Sequence, residues 1–253
     1  MKLAACYTVF NGIELLDDAI ESIESEVDEI IISYQLVSNY GAISDEFLYW
    51  KDKHPQYTYI EFNPDLSVDA KSNEKRKHQG LIEKARELGC SHFFLSATDH
   101  LYVTKELQYA KKKVESDNLV TTYTKMRTYF KSNNLCLSPY ESYYMPFICS
   151  VRVNMGNKAP VVVDPACMFK PYNPSYVFDA EEVLMHHFSW LRHDIRNKLE
   201  NAAAKVNWLD KIEEFIDRYD NFKPGDKFPY YPKHDIIEVK PHFKLRTFYK
   251  AKK

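Results

Sequence analysis

Residues 73–100 carry the sequence NEKRKHQGLIEKARELGCSHFFLSATDH, which decides the fold class. The first part, 73–88, predicts a charged helix because its apolar residues recur at helical spacing. Gly89 follows at the position that a helix C-cap prefers. The apolar run His92–Ala97 then predicts a buried strand, which is followed by Thr98-Asp99-His100. A helix, a glycine stop and a buried strand in this order are typical of an α/β domain.

The segments before this stretch repeat the alternation of strand and helix. Lys2–Val9 predicts a strand, and Ile13–Ile23 places apolar residues at helical spacing after an Asn-Gly turn. Glu29–Tyr34 is too apolar to alternate, as in a parallel strand covered on both faces. A further helix is predicted near Ser44–His54 and a third strand at Tyr57–Phe62. We therefore predict an α/β fold with a mostly parallel sheet flanked by helices and joined by right-handed crossovers.

Residues that follow these strands carry the functional interest, because ligands of parallel sheets bind at the carboxyl ends of the strands. The first strand ends at Val9, Phe10 and Asn11. Gln35 follows the second strand, and Thr98 follows the fourth. We expect these residues to meet at one edge of the sheet and to contact a bound ligand.

After residue 100 the pattern changes, because long helices no longer separate the predicted strands. This change predicts an antiparallel extension or a bent edge of the sheet. Two helices are predicted at 188–205 and 207–219, followed by an irregular extension over Lys223–Lys253. The segments before them are a predicted helix at Lys105–Ser116 and strands at Leu119–Phe130, Pro146–Val153 and Ala159–Val163.

Composition excludes several classes of protein. The chain has 253 residues with 45% hydrophobic and 28% charged side chains, which fits one large globular domain. A formal net charge of -2 provides no overall attraction to nucleic acid or anionic membrane. Six glycines form neither a dinucleotide-binding nor a P-loop motif, and five cysteines without a CxxC pair predict buried thiols. No apolar run is long enough for a membrane span or a signal peptide, so we expect a cytoplasmic protein.

Two segments contain residue types that bind divalent metal ions. Asp99 directly follows a buried strand, where a carboxylate can hold an ion that bridges two phosphates. His186 and His187 lie side by side between apolar residues, at the predicted start of a helix. We predict a metal site that joins Asp99 to His187, with His186 as the alternative ligand. The competing interpretations are a helix cap or turn residue at Asp99, and a histidine pair in which one ring packs in the core and the other is exposed.

Two basic segments are candidates for phosphate binding. Asn73, Arg76 and Lys77 lie at the predicted start of a helix, where backbone N–H groups and the helix dipole favour an anion. Arg192 lies on the predicted helix after the double histidine. The ordinary alternatives are a solvated charged face for the first segment and surface pairing between residues one helical turn apart for the second.

Taken in order, these segments resemble the GT-A glycosyltransferases, in particular family-2-like enzymes of bacteria and phages. VFNGIELLDDAIESI is similar to the opening strand, turn and helix of that family, and DEIIISYQ is similar to its second strand. The stretch 73–102 resembles the helix and strand that lead into the metal-binding Asp-x-Asp signature. VVVDP and MHHFSWLRHDIRNKLENA resemble the later acidic strand end and the His-Phe-Ser segment. Two positions depart from the pattern: Gln35 replaces an acidic residue, and Ala97 replaces the first signature acid.

The resemblance implies metal-dependent transfer of a sugar from a nucleotide-sugar, with a UDP-sugar as the expected donor, to a hydroxyl of a glycan or other polymer. It implies Mn²⁺ or Mg²⁺ at Asp99, and an acidic group that deprotonates the acceptor where the enzyme inverts. Asp164 and Glu181 are the candidates for that base. Residues 1–205 would form the catalytic domain, with a C-terminal helix and tail, 206–253, packed on it.

Two other classes of function stay open. A phage-type enzyme could glycosylate a hydroxylated base in DNA, with the basic tail Lys240–Lys253 following the phosphate backbone. Phe243, Phe248 or Tyr249 would then stack on bases. A nucleotide-binding protein without turnover is the third class, because the first signature acid is absent at Ala97.

Overall fold

A computed structural model describes residues 1–229 and 233–246 of the chain. The first half alternates strands and helices, as the sequence predicts. Its elements are β1 (Leu3–Val9), α1 (Leu16–Glu21), β2 (Glu29–Tyr34), α2 (Glu46–Asp52), β3 (Thr58–Glu61), α3 (Ala70–Glu87), β4 (His92–Ala97), β5 (His100–Leu101) and α4 (Thr104–Ser116). The predicted α/β class and the four N-terminal strands are confirmed.

The second half consists mainly of strands. Its elements are β6 (Thr121–Phe130), β7 (Leu135–Ser138), β8 (Met145–Ser150), β9 (Asn154–Met155), β10 (Phe169–Lys170), β11 (Ser175–Val177), β12 (Leu184–Trp190), α5 (Ile195–Asn201), α6 (Ile212–Asp220) and β13 (Asp235–Glu238). None of the helices within the described ranges is long and apolar enough to cross a membrane.

One end of the sheet is parallel, in the order β3-β2-β1-β4. β1 lies between its two neighbours with Val9 opposite Tyr34 of β2 and Thr8 opposite Ala97 of β4, so the three strands end side by side. Beyond β4 the sheet continues with β8, which is antiparallel to both β4 and β6. The antiparallel extension predicted from the sequence is therefore confirmed.

Both faces of β1 are covered, which explains its uninterrupted apolar sequence. Leu3, Ala5 and Tyr7 pack in the same core cluster as the apolar residues of α1. Ala4 and Cys6 point to the other face and share a second cluster with the apolar stripe of α3. The five cysteines are all free and buried, as expected.

The predicted helix over 188–205 is wrong in its first third. Leu184–Trp190 forms the strand β12, which pairs parallel with β6 and antiparallel with β5, and only Ile195–Asn201 is helical. A short segment with apolar residues on both sides of a histidine pair satisfies a buried strand as well as a helix, so periodicity did not distinguish the two.

Ala159–Val163 does not form the predicted strand. Val163 makes one isolated bridge to Tyr144, and Val162 is 69% exposed. An apolar run without a covering layer gains little from pairing in a sheet. The loop leads instead into the short turn Pro165–Cys167.

The helix predicted at 207–219 is present as α6, whereas the extension predicted to be irregular contains the strand β13. α6 packs Phe215 and Tyr219 against a third apolar cluster that contains Trp190 and Leu199. β13 pairs antiparallel with β7 and so extends the sheet at its far edge.

Candidate functional site

Asp99 lies at the carboxyl edge of the parallel strands, two residues after the end of β4. Its backbone carbonyl accepts a hydrogen bond from Phe188 N at 2.8 Å, which ties the turn to β12. The antiparallel register of β5 and β12 places His187 opposite His100. Residues that are almost ninety positions apart in the chain therefore meet beside one carboxylate.

Four side chains surround the buried carboxylate of Asp99. The Arg192 guanidinium donates a hydrogen bond to Oδ2, and Lys198 Nζ lies 3.8 Å from the same oxygen. His187 Nε2 lies 3.8 Å from Oδ2, and His100 Nε2 lies 3.6 Å from Oδ1. We call these five residues the Asp99 cluster.

Gly12 permits the approach of Arg192 to the cluster. Arg192 Nη1 donates a hydrogen bond to Gly12 O at 3.2 Å, and a Cβ atom at Gly12 would lie 2.8 Å from that nitrogen. Gly12 also has a φ of 68°, which glycine adopts without strain. The Asn-Gly turn after β1 thus helps to aim the guanidinium at Asp99.

Three side chains of the cluster have pKa values far from their ordinary ones. Burial disfavours the ionised form of Asp99, but the nearby Arg192, His187 and Lys198 outweigh it, so the pKa of this carboxyl is well below its usual range. Burial lowers the pKa of His187 to about 3, which leaves a neutral ring with a free lone pair. Burial and the neighbouring Arg192 lower the pKa of Lys198 to about 8. At neutral pH the site therefore holds one carboxylate, two cations and neutral imidazole.

The donor atoms of Asp99, His100 and His187 suit a divalent transition metal. One ligand atom from each lies within 4.8 Å of the others. The Nδ1 atoms of both histidines are buried without a hydrogen-bond partner, so each ring keeps ligand capacity. A carboxylate with two imidazoles fits Mn²⁺ better than Mg²⁺, which prefers oxygen. Sequence reasoning did not choose His100, although its position directly after Asp99 was a signal for it.

His186 does not belong to this site, so its choice as the alternative ligand is wrong. Successive residues of a strand point to opposite faces, and His186 lies on the face away from Asp99. Its side chain is 1% exposed, and Nδ1 lies 2.8 Å from the hydroxyl of Tyr129. The ring packs against Phe243, as expected for a core histidine.

A cavity of about 390 Å³ opens beside the Asp99 cluster. His100, His187 and Lys198 form part of its wall. A smaller cavity of about 100 Å³ is lined by Asn11 and Arg192, and Lys198 borders both spaces. The cluster thus lies where two cavities adjoin.

The residues predicted at the strand ends differ in their burial and in whether they line a cavity. Asn11 lines the smaller cavity and donates a hydrogen bond to Asn197 Oδ1 at 2.9 Å. Val9 and Thr98 are buried, and Phe10 is half-buried. Gln35 is buried, donates to Val37 O at 2.8 Å, and leaves its Oε1 without a partner.

The basic cluster predicted at a helix start is not at one. α3 begins at Ala70, and Asp69 caps it by accepting a hydrogen bond from Ser72 N. Asn73 is fully buried and bonds to both backbone groups of Asp65. Lys77 is 4% exposed and pairs with Glu74 at 2.9 Å, whereas Arg76 is exposed. Lys77 and Asn73 therefore hold the structure together and do not present a phosphate site.

Lys77→Ala is expected to lower the free energy of unfolding by about 3 kcal/mol, because it removes a buried lysine that pairs with the mostly buried carboxylate of Glu74. Burial opposes the charge of Glu74, but Lys77 and His78 outweigh it and hold the pKa of that carboxyl low. The matched control Arg76→Ala should change stability by less than about 0.5 kcal/mol, since that side chain is exposed. Urea unfolding followed by circular dichroism measures both, and equal stability of the two variants would contradict the assignment.

The two candidate bases occupy different places. Asp164 lines the larger cavity, and its carboxylate accepts a hydrogen bond from Ala166 N at 2.7 Å, so it also caps the turn that follows. Glu181 is exposed in the turn before β12 and is not among the residues that line the cavity. The structure therefore does not bring Glu181 to the Asp99 cluster.

The described part of the C-terminal tail, up to residue 246, adds side chains to the core. Phe243 is half-buried and packs against His186 and Phe188, so part of its ring already contacts the core. Phe248 and Tyr249, the other two aromatic residues considered for this role, lie outside the described residues.

The fold was compared with those of solved protein structures. The crystal structure of S. aureus TarS 1-349 superposes with a TM-score of 0.50 at 13% sequence identity, over 88% of this chain and 73% of that one. The fold is of the GT-A type. The longer crystal structure of S. aureus TarS aligns with a TM-score of 0.49 and 11% identity, and this chain spans 44% of its length. A complex of TarS 1-349 with UDP-GlcNAc gives a TM-score of 0.49 at 11% identity, over 88% and 74% of the two chains. No protein-family model matches the chain, and neither does any curated protein sequence.

In the GT-A fold of this chain, the Asp99 cluster occupies the strand-end position predicted for ligand binding. β1 and β4 are direct neighbours, so Asn11 and Asp99 follow adjacent strands. The predicted proximity of the strand ends is therefore observed, and the cluster is the candidate active site.

Proposed function

We propose that this chain transfers a sugar from a nucleoside-diphosphate sugar, with a UDP-sugar as the first donor to test, to a hydroxyl of a glycan or other polymer. The observation that carries the proposal is the Asp99 cluster, in which two mostly buried cations face one carboxylate beside a cavity of about 390 Å³. Such a cluster at the carboxyl edge of parallel strands is suited to an anionic ligand.

Arg192 and Lys198 would stabilise the leaving diphosphate. Transfer of a sugar releases negative charge on the diphosphate, and positive groups that are already in place lower the free energy of that transition state. The side chains of Arg192 and Lys198 are 7% and 19% exposed, so water screens them little. Asp99 keeps both cations oriented before the donor binds.

Asp99 and His187, together with His100, would hold the Mn²⁺ or Mg²⁺ that this type of fold implies. A bound divalent ion would supply further positive charge to the leaving diphosphate. Arg192 and Lys198 already neutralise the single carboxylate of the cluster, so we expect weak metal binding in the absence of nucleotide. Affinity should rise when the diphosphate adds its negative oxygens.

Thermal denaturation tests donor binding directly. A nucleoside diphosphate at about 100 times its dissociation constant adds about 2.7 kcal/mol of stability, which corresponds to a rise in Tm of about 5–10 °C for a chain of this size. We expect this rise with UDP and a UDP-sugar in the presence of Mn²⁺, and a smaller rise with Mn²⁺ or UDP alone. UDP-GlcNAc is a suitable first sugar nucleotide, because TarS 1-349 was crystallised with it.

Two outcomes would contradict the proposal. Failure of a panel of nucleoside diphosphates and nucleotide-sugars to raise Tm would exclude a donor site. Binding without any release of nucleoside diphosphate, even with Mn²⁺ and polymer acceptors, would favour a nucleotide-binding protein without turnover. Measuring released nucleoside diphosphate alongside the melting curves separates these outcomes.

A further inference from the structure

Glu141 is a buried carboxylate in the wall of the larger cavity. It lies on the segment between β7 and β8 and is 8% exposed. Thr128 on β6 donates a hydrogen bond from Oγ1 to Glu141 Oε1 at 2.5 Å. Within the described residues, no lysine or arginine forms an ion pair with Glu141.

Burying a carboxylate that no described lysine or arginine neutralises is costly for a folded protein, which makes this position a candidate for a chemical role. Burial raises the pKa of Glu141, partly offset by the hydroxyl groups of Thr128 and Tyr143 and by the nearby His234. A carboxylate whose pKa is raised accepts a proton more readily than a carboxylate with an ordinary pKa. Burial therefore destabilises the ionised form of Glu141 and makes this carboxylate more basic.

The remaining wall of this cavity suits a polyhydroxylated molecule. Sugars are recognised by carboxylates and imidazoles that bond to hydroxyls, together with aromatic rings that pack on the apolar faces of the sugar. The larger cavity offers Glu74, His78, Tyr143, Asp164, Trp190 and Trp208. His100, His187 and Lys198 of the Asp99 cluster line the same cavity, so acceptor and donor would share one space.

We propose that Glu141 is the catalytic base that accepts the proton of the attacking acceptor hydroxyl in this cavity. The inference rests on the proposed function. The acceptor O–H bond breaks and its proton passes to the Glu141 carboxylate, while the oxygen forms a bond to the anomeric carbon of the donor sugar. The bond from that carbon to the phosphate oxygen breaks, and its electron pair leaves with the nucleoside diphosphate. A single displacement of this kind inverts the anomeric configuration.

Hydrolysis of UDP-GlcNAc, with water as the acceptor, tests the role of Glu141 without knowledge of the natural acceptor. Glu141→Gln retains an acceptor for the Thr128 hydrogen bond but removes the base. Hydrolysis should fall by at least about 100-fold, the usual contribution of a general base. Binding of UDP, measured by titration calorimetry, should stay unchanged. Glu87→Gln is the matched control, because Glu87 is exposed on α3 and pairs with Lys84.

Azide distinguishes a lost base from a damaged site. The azide ion carries no proton, so its attack on the anomeric carbon needs no base, and Glu141→Gln should form glycosyl azide at the native rate. Glu141→Asp, which keeps a carboxylate, should recover part of the hydrolysis. The products of the native protein should have the inverted configuration.

Three results would overturn the inference. The first is hydrolysis by Glu141→Gln at the native rate, and the second is a loss of the azide reaction as large as the loss of hydrolysis in a Glu141→Gln protein that still binds UDP. The third is an Asp164→Asn protein that loses hydrolysis but keeps the azide reaction, while Glu141→Gln does not show this behaviour. Other sugar nucleotides replace UDP-GlcNAc if the native protein does not cleave it. A native protein that cleaves none of them contradicts the proposed function itself, whereas an active native protein with an equally active Glu141→Gln contradicts only the role of Glu141.

Discussion

Asp99→Asn is expected to lower sugar transfer by about 100- to 1000-fold, the range seen when one electrostatic group is removed from a preorganised site. The substitution removes the charge that orients Arg192 and Lys198, and it removes one candidate metal ligand. Within the described residues, Arg192 also pairs with the carboxylate of Glu14, at 3.9 Å. We therefore expect both a slower reaction and a displaced guanidinium.

The same substitution should also destabilise the protein. Breaking a buried ion pair by removing one partner costs about 3–5 kcal/mol, because the other charge is left uncompensated. Activity must therefore be measured well below the Tm of the variant, with circular dichroism as the check of folding. Asp52→Asn is the control for the chemical change, since Asp52 is exposed at the end of α2. If a folded Asp99→Asn protein turned over at the native rate, Asp99 would have no role in the reaction.

His187→Ala is expected to abolish the stimulation of turnover by Mn²⁺, leaving only the metal-independent rate. His187 supplies an imidazole within reach of Asp99, and burial lowers its pKa to about 3, so the neutral ligand form is present at every working pH. Manganese titrations of donor hydrolysis, together with Mn²⁺ affinity in the presence of UDP, measure the effect. The loss should appear in both.

His186→Ala is the matched variant, because it removes the neighbouring imidazole from the opposite face of β12. Mn²⁺ stimulation should be retained. Stability should fall by about 1–3 kcal/mol, since the Tyr129 hydroxyl loses its partner in a buried place. If His187→Ala keeps the full response to Mn²⁺, the double histidine is core packing on both faces and the metal site is wrong.

The parallel half of the fold could be predicted from the sequence because its signals are local. Each of β1, β2 and β4 is a short apolar run, and Gly89 marks the end of the helix before β4. A strand buried on both faces needs such a run whatever else the chain contains. The position of Asp99 at the sheet edge followed from this pattern alone.

The later strands and helices were harder to predict, because their burial depends on distant partners. Leu184–Trp190 was expected to begin a helix but forms β12, since β5 and β6 supply its neighbours. Ala159–Val163 looked like a strand, yet nothing covers Val162. Hydrophobicity states that a residue can be buried, but only the tertiary arrangement decides whether a layer is there to bury it.

The membership of the Asp99 cluster was decided by tertiary structure in the same way. The sequence by itself determined that an aspartate follows a buried strand and that a double histidine and a basic segment occur later. The register of β12 on β5 selected His187 and turned His186 to the opposite face. α5 and the turn before it then brought Lys198 and Arg192 onto the same carboxylate, whereas Lys77 and Asn73 became buried structural groups. Periodicity along a chain records which faces are apolar, but the energy of a charge depends on its distance from other charges, and those distances exist only once strands far apart in sequence have paired.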